Sequence, residues 1–95
     1  MSDAEALLRT QYLSGWCVTA KKSVMRLTKT YRFNDFSSAL DFANRIGVLA
    51  EAVNHHPLLV VEWGRVSISW WTHSIGGLHP NDFVLAAKTD LLSGH

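Results

Sequence analysis

The 95-residue chain is 47% hydrophobic, as expected of a folded globular domain rather than a disordered segment. Its formal net charge is only +1, which argues against nucleic acid as a partner, because phosphate recognition needs a clustered basic face. No stretch approaches the roughly 20 apolar residues of a membrane span, and the first residues do not resemble a secretory signal. We therefore expect one cytoplasmic domain over residues 1–95, with no membrane or nucleic-acid partner.

The small size of the chain predicts self-association. A domain of this length buries only about 60–65% of its unfolded surface, so its stability is marginal. The single cysteine, Cys17, cannot form an internal disulfide, and an unpaired thiol suits a reducing compartment. Four Trp, four Phe and two Tyr are many aromatic residues for so short a chain. We expect a homodimer or homotetramer.

The first predicted element is a short helix over residues 4–12. Ser2 or Asp3 can cap its beginning, and Gly15 can end the segment. Residues 16–19 then predict a short strand.

A turn at residues 21–23 leads into a longer strand over residues 24–33. Its residues alternate with a period of two, which is typical of a half-buried antiparallel strand. The predicted apolar face holds Met25, Leu27, Tyr31 and Phe33. The predicted polar face holds Arg26, Thr28, Thr30 and Arg32.

The spacing of apolar residues then changes to three and four, which predicts a long amphipathic helix. Asn34 or Asp35 can cap it, and it should end near Asn54, before Pro57. Its apolar stripe consists of Phe36, Ala39, Leu40, Ala43, Ile46, Ala50 and Val53, widened by Phe42 and Leu49. Gly47 lies within this helix, and we expect it to let the helix approach the sheet closely.

The last third of the chain predicts a hairpin and a helix. The hairpin strands are residues 58–62 and 66–71, joined by a tight turn at residues 63–65. Pro80 stands at the first position of the last helix, with Asp82 in its first turn. The predicted buried face of this helix is Phe83, Ala86, Ala87 and Leu91. The predicted fold is α+β, with a four-stranded antiparallel sheet and two or three helices on one face.

Three histidines converge at the open end of the predicted hairpin. If the turn is centred on Gly64, His55 stands opposite His73. If the centre lies between Gly64 and Arg65, His56 stands opposite His73 instead. Directly opposed residues have Cβ atoms roughly 4.5–5.5 Å apart, so either register brings the imidazoles together. Asp82 could fold back to hold one of the rings.

Converging histidines are suited to proton transfer, because imidazole titrates at about pH 6.5 and can serve as acid or base. One alternative is that they are ordinary polar residues closing a helix-to-strand junction. Another is a zinc site, which is disfavoured because His55 and His56 project in different directions and no cysteine lies near them. We therefore predict an acid–base site without metal.

The segment from residue 51 to residue 82 resembles the pterin-4a-carbinolamine dehydratase family. The matching residues are Glu51, His55, His56, Pro57, Thr72, His73, Gly77, Leu78 and Asp82. Upstream, Gly15, Trp16 and residues 29–36 fit the same family. The resemblance implies an enzyme that removes water from 4a-hydroxytetrahydrobiopterin to give quinonoid dihydropterin, with no metal or organic cofactor. It also implies a functional link to phenylalanine hydroxylase, as in a bacterial branch of the family.

The resemblance also implies roles for individual residues. His55 and His73 would act as acid and base, while His56 would complete the catalytic set. The residues implied to bind or order the pterin are Glu51, His56, Pro57 and Asp82. This chain departs from the animal pattern at Ala52, Asn54, Leu59 and Asn81. His79 replaces a Ser or Thr cap, and we interpret it as structural.

An alternative function follows from the same resemblance. Members of the family also serve as dimerisation modules and transcriptional coactivators, so the resemblance implies a non-enzymatic assembly role as the alternative. Because all three histidines are retained in this chain, we favour the enzyme.

Overall fold

The computed structural model describes residues 2, 5, 6, 9 and 13–94. Its strands are β1 (Cys17–Lys21), β2 (Val24–Arg32), β3 (Leu58–Glu62) and β4 (Arg65–Trp70). The helices whose bounds lie within the described residues are α1 (Phe36–Val53), α2 (Pro80–Ser93) and a 3₁₀ turn, His73–Ile75. The strands form one antiparallel sheet in the order β1-β2-β4-β3, and α1 and α2 pack on one face of it. The predicted α+β fold is confirmed.

The predicted N-terminal helix lies only partly within the described residues. Glu5, Ala6 and Arg9 are helical, whereas the other positions of that prediction, including the alternative cap Asp3, lie outside the described residues. Ser2 acts as the cap, because its Oγ accepts a hydrogen bond from the Glu5 amide at 3.2 Å.

The core lies between the sheet and α1. The predicted alternation of β2 and β4 is confirmed, since the buried apolar side chains of each strand stand two or four residues apart on the side of the helices. The buried residues of the two strands are Leu27, Tyr31, Val66, Ile68 and Trp70. The buried residues of α1 are Ala39, Phe42, Ala43, Ile46 and Ala50. No helix in the described part of the chain has the length and apolar character that a membrane span needs.

The opposite face of the sheet is largely polar, with Leu58 and Val60 exposed on β3, and is called the open face below. Hydroxyl groups form hydrogen bonds across its strands, at 3.0 Å between Thr28 and Ser69 and at 2.9 Å between Thr30 and Ser67. The predicted polar face of β2 therefore lies on the side that the helices leave uncovered.

Both predicted registers of the hairpin are wrong. Glu62 pairs with Arg65, so the turn consists of Trp63 and Gly64 alone, and its centre lies between those two residues. Gly64 has a φ of +72°, and a Cβ there would lie 3.1 Å from the Phe33 carbonyl oxygen, so only glycine fits without strain. The ladder ends at Leu58, since Pro57 has no N–H to donate. His73 therefore stands opposite neither His55 nor His56.

The beginning of α1 is fixed by Asp35, whose carboxylate accepts a hydrogen bond from the Ser38 amide at 2.7 Å. Hydrogen bonds from the backbone and side chain of Ser38 hold the pKa of this carboxyl below its ordinary value of 3.8. Because the pKa is lower in the folded chain, the cap stabilises fully above pH 3.8 and is lost as the pH falls through the folded-state pKa.

Asp35→Ala should therefore lower the melting temperature at pH 7, and the deficit should shrink below about pH 4 as the wild-type carboxylate is protonated. Thermal melts at pH 7, 5 and 3.5 measure this difference. Asp41→Ala, at an exposed position in the same helix, is the matched control and should show no such trend. An equal deficit at all three pH values would contradict the charged cap.

Two expectations about α1 are corrected by the structure. Phe36, Leu40 and Val53 belong to the predicted apolar stripe but are more than 40% exposed. Gly47 does not permit a close approach to the sheet, because a Cβ built there meets nothing within 4 Å. The core is instead filled by the stripe centred on Phe42 and Ile46, and Gly47 lies at its edge.

Gly47→Ala should stabilise the protein, because alanine has a higher helix propensity and its methyl group meets no obstacle. The expected gain is about 1 kcal/mol, or a melting temperature roughly 4–8 °C higher in a domain of this size. Thermal unfolding followed by circular dichroism measures it. Gly64→Ala is the opposite control, since the positive φ and the Phe33 carbonyl oxygen make that site intolerant of a Cβ. A loss of stability in Gly47→Ala would contradict the open space around Gly47.

Helix α2 begins as predicted, with Pro80 in its first turn, but its buried face is different. Ala87 is exposed and Leu91 is 83% exposed, which overturns their predicted burial. The buried residues of α2 are Asp82, Phe83, Leu85, Ala86, Thr89 and Ser93. The rotation of the helix follows from two polar contacts. Thr89 Oγ1 accepts a hydrogen bond from the indole N–H of Trp70 at 3.0 Å. Asp82 Oδ1 accepts a hydrogen bond from His55 Nε2 at 2.8 Å.

The far end of α2 is tied to the sheet through Asp90. Its carboxylate accepts hydrogen bonds from Trp16 Nε1 at 3.2 Å, from Lys29 Nζ at 2.8 Å and from the Tyr31 hydroxyl. Burial and the neighbouring Asp90 carboxylate raise the pKa of Tyr31, so its phenol remains a protonated donor. Helix α2 is thus held at both ends, and this positions its first turn against the hairpin.

Candidate active site

A cavity of about 420 Å³ lies where α1 ends and the hairpin opens. The residues lining it are Asn54, His55, His56, Thr72, His73 and Ser74. Asn54 ends α1 with a φ of +51°, and this left-handed turn directs the chain from the helix into the histidine doublet. The structure therefore brings the three predicted histidines to one cavity, although the hairpin register differs from both predictions.

His55 is held by two acceptors at the same ring nitrogen. Its Nε2 lies 2.8 Å from Asp82 Oδ1 and 3.0 Å from the Trp71 carbonyl oxygen. A carbonyl oxygen and a carboxylate only accept, so Nε2 carries the proton and donates. No group in the described part of the chain hydrogen-bonds to Nδ1. That nitrogen is therefore the one that can exchange a proton with a bound molecule.

Asp82 is fully buried behind His55. Its second oxygen, Oδ2, accepts hydrogen bonds from the Thr72 hydroxyl at 2.9 Å and from the His79 backbone amide at 2.9 Å. The His79 imidazole Nδ1 in turn accepts from the Asn81 amide at 3.1 Å, which completes a capping box at the start of α2. The structural interpretation of His79 is thereby confirmed. The hydrogen bonds at Oδ2 thus hold the Asp82 carboxylate in place, and its Oδ1 in turn orients the His55 ring.

His73 is held in a different way, at the exposed rim of the cavity. Its Nε2 donates a hydrogen bond to the His56 carbonyl oxygen at 3.1 Å. Its ring stacks on the indole of Trp71, with ring centroids 4.5 Å apart and planes 14° from parallel. As in His55, Nδ1 is the nitrogen left for proton exchange. Both imidazoles line the cavity, and in each ring Nδ1 has no hydrogen-bond partner in the described part of the chain.

The remaining predicted site residues lie beside this cavity rather than in it. Glu51 Oε2 is 3.5 Å from His56 Nε2, and both side chains are more than half exposed. Glu51 and Pro57 line an adjoining depression of about 700 Å³, which His56 separates from the histidine cavity. A planar molecule in the cavity would need to extend past His56 to reach Glu51. The predicted substrate contacts of Glu51, Pro57 and Asp82 stay predictions.

The described residues contain no group of three or more His, Cys, Asp or Glu side chains that could hold a metal ion. Asp82 contacts His55 and Glu51 contacts His56, and neither carboxylate lines the cavity. The arrangement is suited to moving protons between two ring nitrogens and a molecule bound between them.

Trp71, Asn54 and Ser74 were given no role at the site from the sequence, where Asn54 was named only as the end of the helix and as a departure from the animal pattern. Trp71 stacks on His73, and Asn54 lines the cavity beside His55. The predicted strand over residues 66–71 contains the signal for Trp71, because residues two apart share one side of a strand and His73 follows Trp71 by two. For Asn54 the signal is its position at the end of a helix, where asparagine tolerates the left-handed conformation.

Comparison with known proteins gives a consistent result. The family model described as Pterin 4 alpha carbinolamine dehydratase matches residues 1–92. A Chlorobium limicola protein provisionally named a pterin-4-alpha-carbinolamine dehydratase is 57% identical over 79 residues, which cover 83% of this chain and 70% of the relative. A Chlorobaculum tepidum protein with the same provisional name is 47% identical over 92 residues, which cover 97% of this chain and 83% of the relative.

Two solved structures share the fold. A transcriptional coactivator/pterin dehydratase from Brucella melitensis superposes with a TM-score of 0.88 at 27% identity, covering 98% of this chain and 97% of that one. A pterin dehydratase-like protein identified as a RuBisCO assembly factor in the α-carboxysome has a TM-score of 0.71 at 21% identity, with 84% of this chain and 90% of that one covered. The second likeness shows the fold alone. With a family model that spans nearly the whole chain and relatives close to half identical, the chain belongs to the pterin-4a-carbinolamine dehydratase family.

Proposed function

We propose that this protein dehydrates 4a-hydroxytetrahydrobiopterin to quinonoid dihydropterin, with His55 and His73 as the acid and the base. The observation that carries the proposal is the pair of imidazoles at one cavity. Each donates through Nε2 to a protein acceptor and has Nδ1 left for proton exchange. Membership of the family supports the pterin as substrate.

The reaction needs two proton transfers and no redox change. One imidazole delivers a proton to the hydroxyl on C4a, which leaves as water when the lone pair of N5 expels it. The other imidazole takes the proton from N5, so that a C–O bond breaks and a ring double bond forms. General acid–base catalysis of this kind contributes about 10²–10⁴-fold. Asp82 fixes the tautomer of His55 and balances the positive charge that the ring carries when protonated.

The biological setting is part of the same proposal. A hydroxylated tetrahydropterin is left by an aromatic amino acid hydroxylase, so phenylalanine hydroxylase is the functional partner that we propose. Cys17 is an unpaired, exposed thiol, which is compatible with a reducing cytoplasm.

Stopped-flow spectroscopy tests the proposal directly. The carbinolamine is generated with a phenylalanine hydroxylase, and the absorbance of the quinonoid dihydropterin is followed with and without this protein. We expect faster product formation with the wild type and the uncatalysed rate with a variant that lacks both His55 and His73. Equal rates with the wild type and this double variant would refute the enzyme and favour the assembly role.

Self-association is proposed on a separate observation. Helix α1 exposes the apolar side chains Leu40, Val48 and Val53, and Val48 is 73% exposed. Such side chains on a small domain are suited to a contact between copies. Light scattering at micromolar concentration should therefore give a dimer or tetramer mass. Val48→Asp should shift that mass toward the monomer of 10.6 kDa, whereas a wild type that is already monomeric would contradict the proposal.

A further inference from the structure

Three side chains, Arg26, Trp71 and His73, stack one on another from β2, on the open face of the sheet, to the rim of the cavity. The Arg26 guanidinium carbon lies 4.0 Å from the centroid of the Trp71 ring. The Trp71 ring in turn stacks on His73 at 4.5 Å. Leu27 and Trp70 form the last rung between β2 and β4, so Arg26 and Trp71 are the next cross-strand neighbours. None of the roles assigned above involves Arg26.

Burial alone does not favour an arginine at this position. Arg26 Nε is buried and has no hydrogen-bond partner in the described part of the chain. A buried donor without an acceptor costs folding free energy, because it has given up water without replacement. An apolar side chain of similar length would cover the indole without that cost. The contribution that is specific to the guanidinium is its contact with the Trp71 ring.

The two catalytic imidazoles proposed above differ in what holds them. His55 has a buried carboxylate and a carbonyl oxygen at Nε2. His73 is exposed and has one hydrogen bond, to the His56 carbonyl oxygen, which leaves the ring free to rotate about that bond. A stacked indole removes this freedom, because the planes must stay near parallel. The direction of His73 Nδ1 is then set by Trp71.

We propose that Trp71 and Arg26 are positioning residues that orient the His73 ring toward the substrate, an inference that rests on the proposed function. Trp71 supplies the plane on which the imidazole lies. Arg26 holds the indole in that plane through a cation–π contact, which a flat guanidinium makes better than an ammonium. The pair orients the His73 ring, as the hydrogen bonds at Nε2 orient the His55 ring.

Steady-state kinetics test the catalytic part of the inference. Trp71→Ala should lower kcat by on the order of 10-fold with KM changed less than about twofold, because a misdirected ring impairs proton transfer rather than binding. Trp71→Phe should recover most of the loss, since a phenyl ring still offers a stacking plane. Arg26→Met should lower kcat by about threefold or more, with an unchanged or higher melting temperature.

Matched controls separate positioning from general damage. Trp63→Ala removes an indole from the exposed hairpin turn, and Arg32→Met removes a guanidinium from the same strand and face as Arg26. Both controls should keep wild-type kcat. Equal losses in controls and test variants, or losses in KM alone, would overturn the inference.

Nuclear magnetic resonance tests the geometry without any enzyme assay. A stacked indole shifts the ring-proton resonances of His73 upfield, so Trp71→Ala should move them downfield while leaving those of His79 in place. If the His73 resonances do not move, the stack is absent and the inference fails even though the dehydratase activity stands. If the wild type shows no dehydratase activity, the proposed function fails, and the catalytic role inferred for Arg26 and Trp71 fails with it.

Discussion

His73→Ala should lower kcat by on the order of 10²-fold or more while leaving the fold intact. The side chain is exposed, and in the described part of the chain its contacts are one hydrogen bond and one ring stack. Removing it should therefore change the free energy of unfolding only slightly. His56→Ala should instead raise KM with a smaller effect on kcat, because His56 borders the cavity and is expected to hold the pterin. Stopped-flow kinetics with circular dichroism of each variant measure both effects.

The double variant of His55 and His73 gives a sharper result. Two groups that act in one proton-transfer unit are non-additive, so replacing both with alanine should cost much less than the product of the single losses. A fully multiplicative loss would mean that the two imidazoles act independently. Near-normal kcat in His73→Ala, with a raised KM only, would reverse the roles assigned to His56 and His73.

Asp82→Asn should reduce both activity and stability. Three donors surround the carboxylate, namely His55 Nε2, the Thr72 hydroxyl and the His79 amide, whereas an asparagine offers one oxygen. If that oxygen serves Thr72 and His79, the amide N–H₂ faces His55 and favours the tautomer protonated at Nδ1. That tautomer cannot accept a proton at the cavity, so kcat should fall by on the order of 10²-fold or more. Leaving a buried donor without an acceptor should also cost about 1–3 kcal/mol.

Asp90→Asn is the matched control for this prediction. Asp90 also accepts from three donors, Trp16, Lys29 and Tyr31, and lies in the same helix, but it is outside the cavity. A similar loss of unfolding free energy in urea with kcat close to the wild-type value is expected. If Asp82→Asn lost stability but kept wild-type kcat, the Asp82 contact with His55 would be structural only.

Much of the fold follows from local patterns in the sequence. The alternation in residues 24–33, the three-to-four spacing after Asp35 and the Pro80 signal each depend on neighbours within a few residues, and all three elements form as predicted. Helix α2 is less well predicted, because its rotation is set by distant partners. The Thr89 hydroxyl accepts from Trp70, nineteen residues away, and this turns Leu91 to solvent.

The sequence by itself determined that His55, His56 and His73 would meet at the end of one hairpin, since that follows from the order of the elements alone. Only the tertiary structure decided how they meet. The centre of the turn depends on one residue, Gly64, whose positive φ and close contact with Phe33 select a register that periodicity cannot distinguish from its neighbours. The hydrogen-bond partners of each imidazole also cannot be predicted from local sequence patterns. Asp82 reaches His55 across 27 residues because α2 is docked on the sheet, and that docking is a property of the packed core.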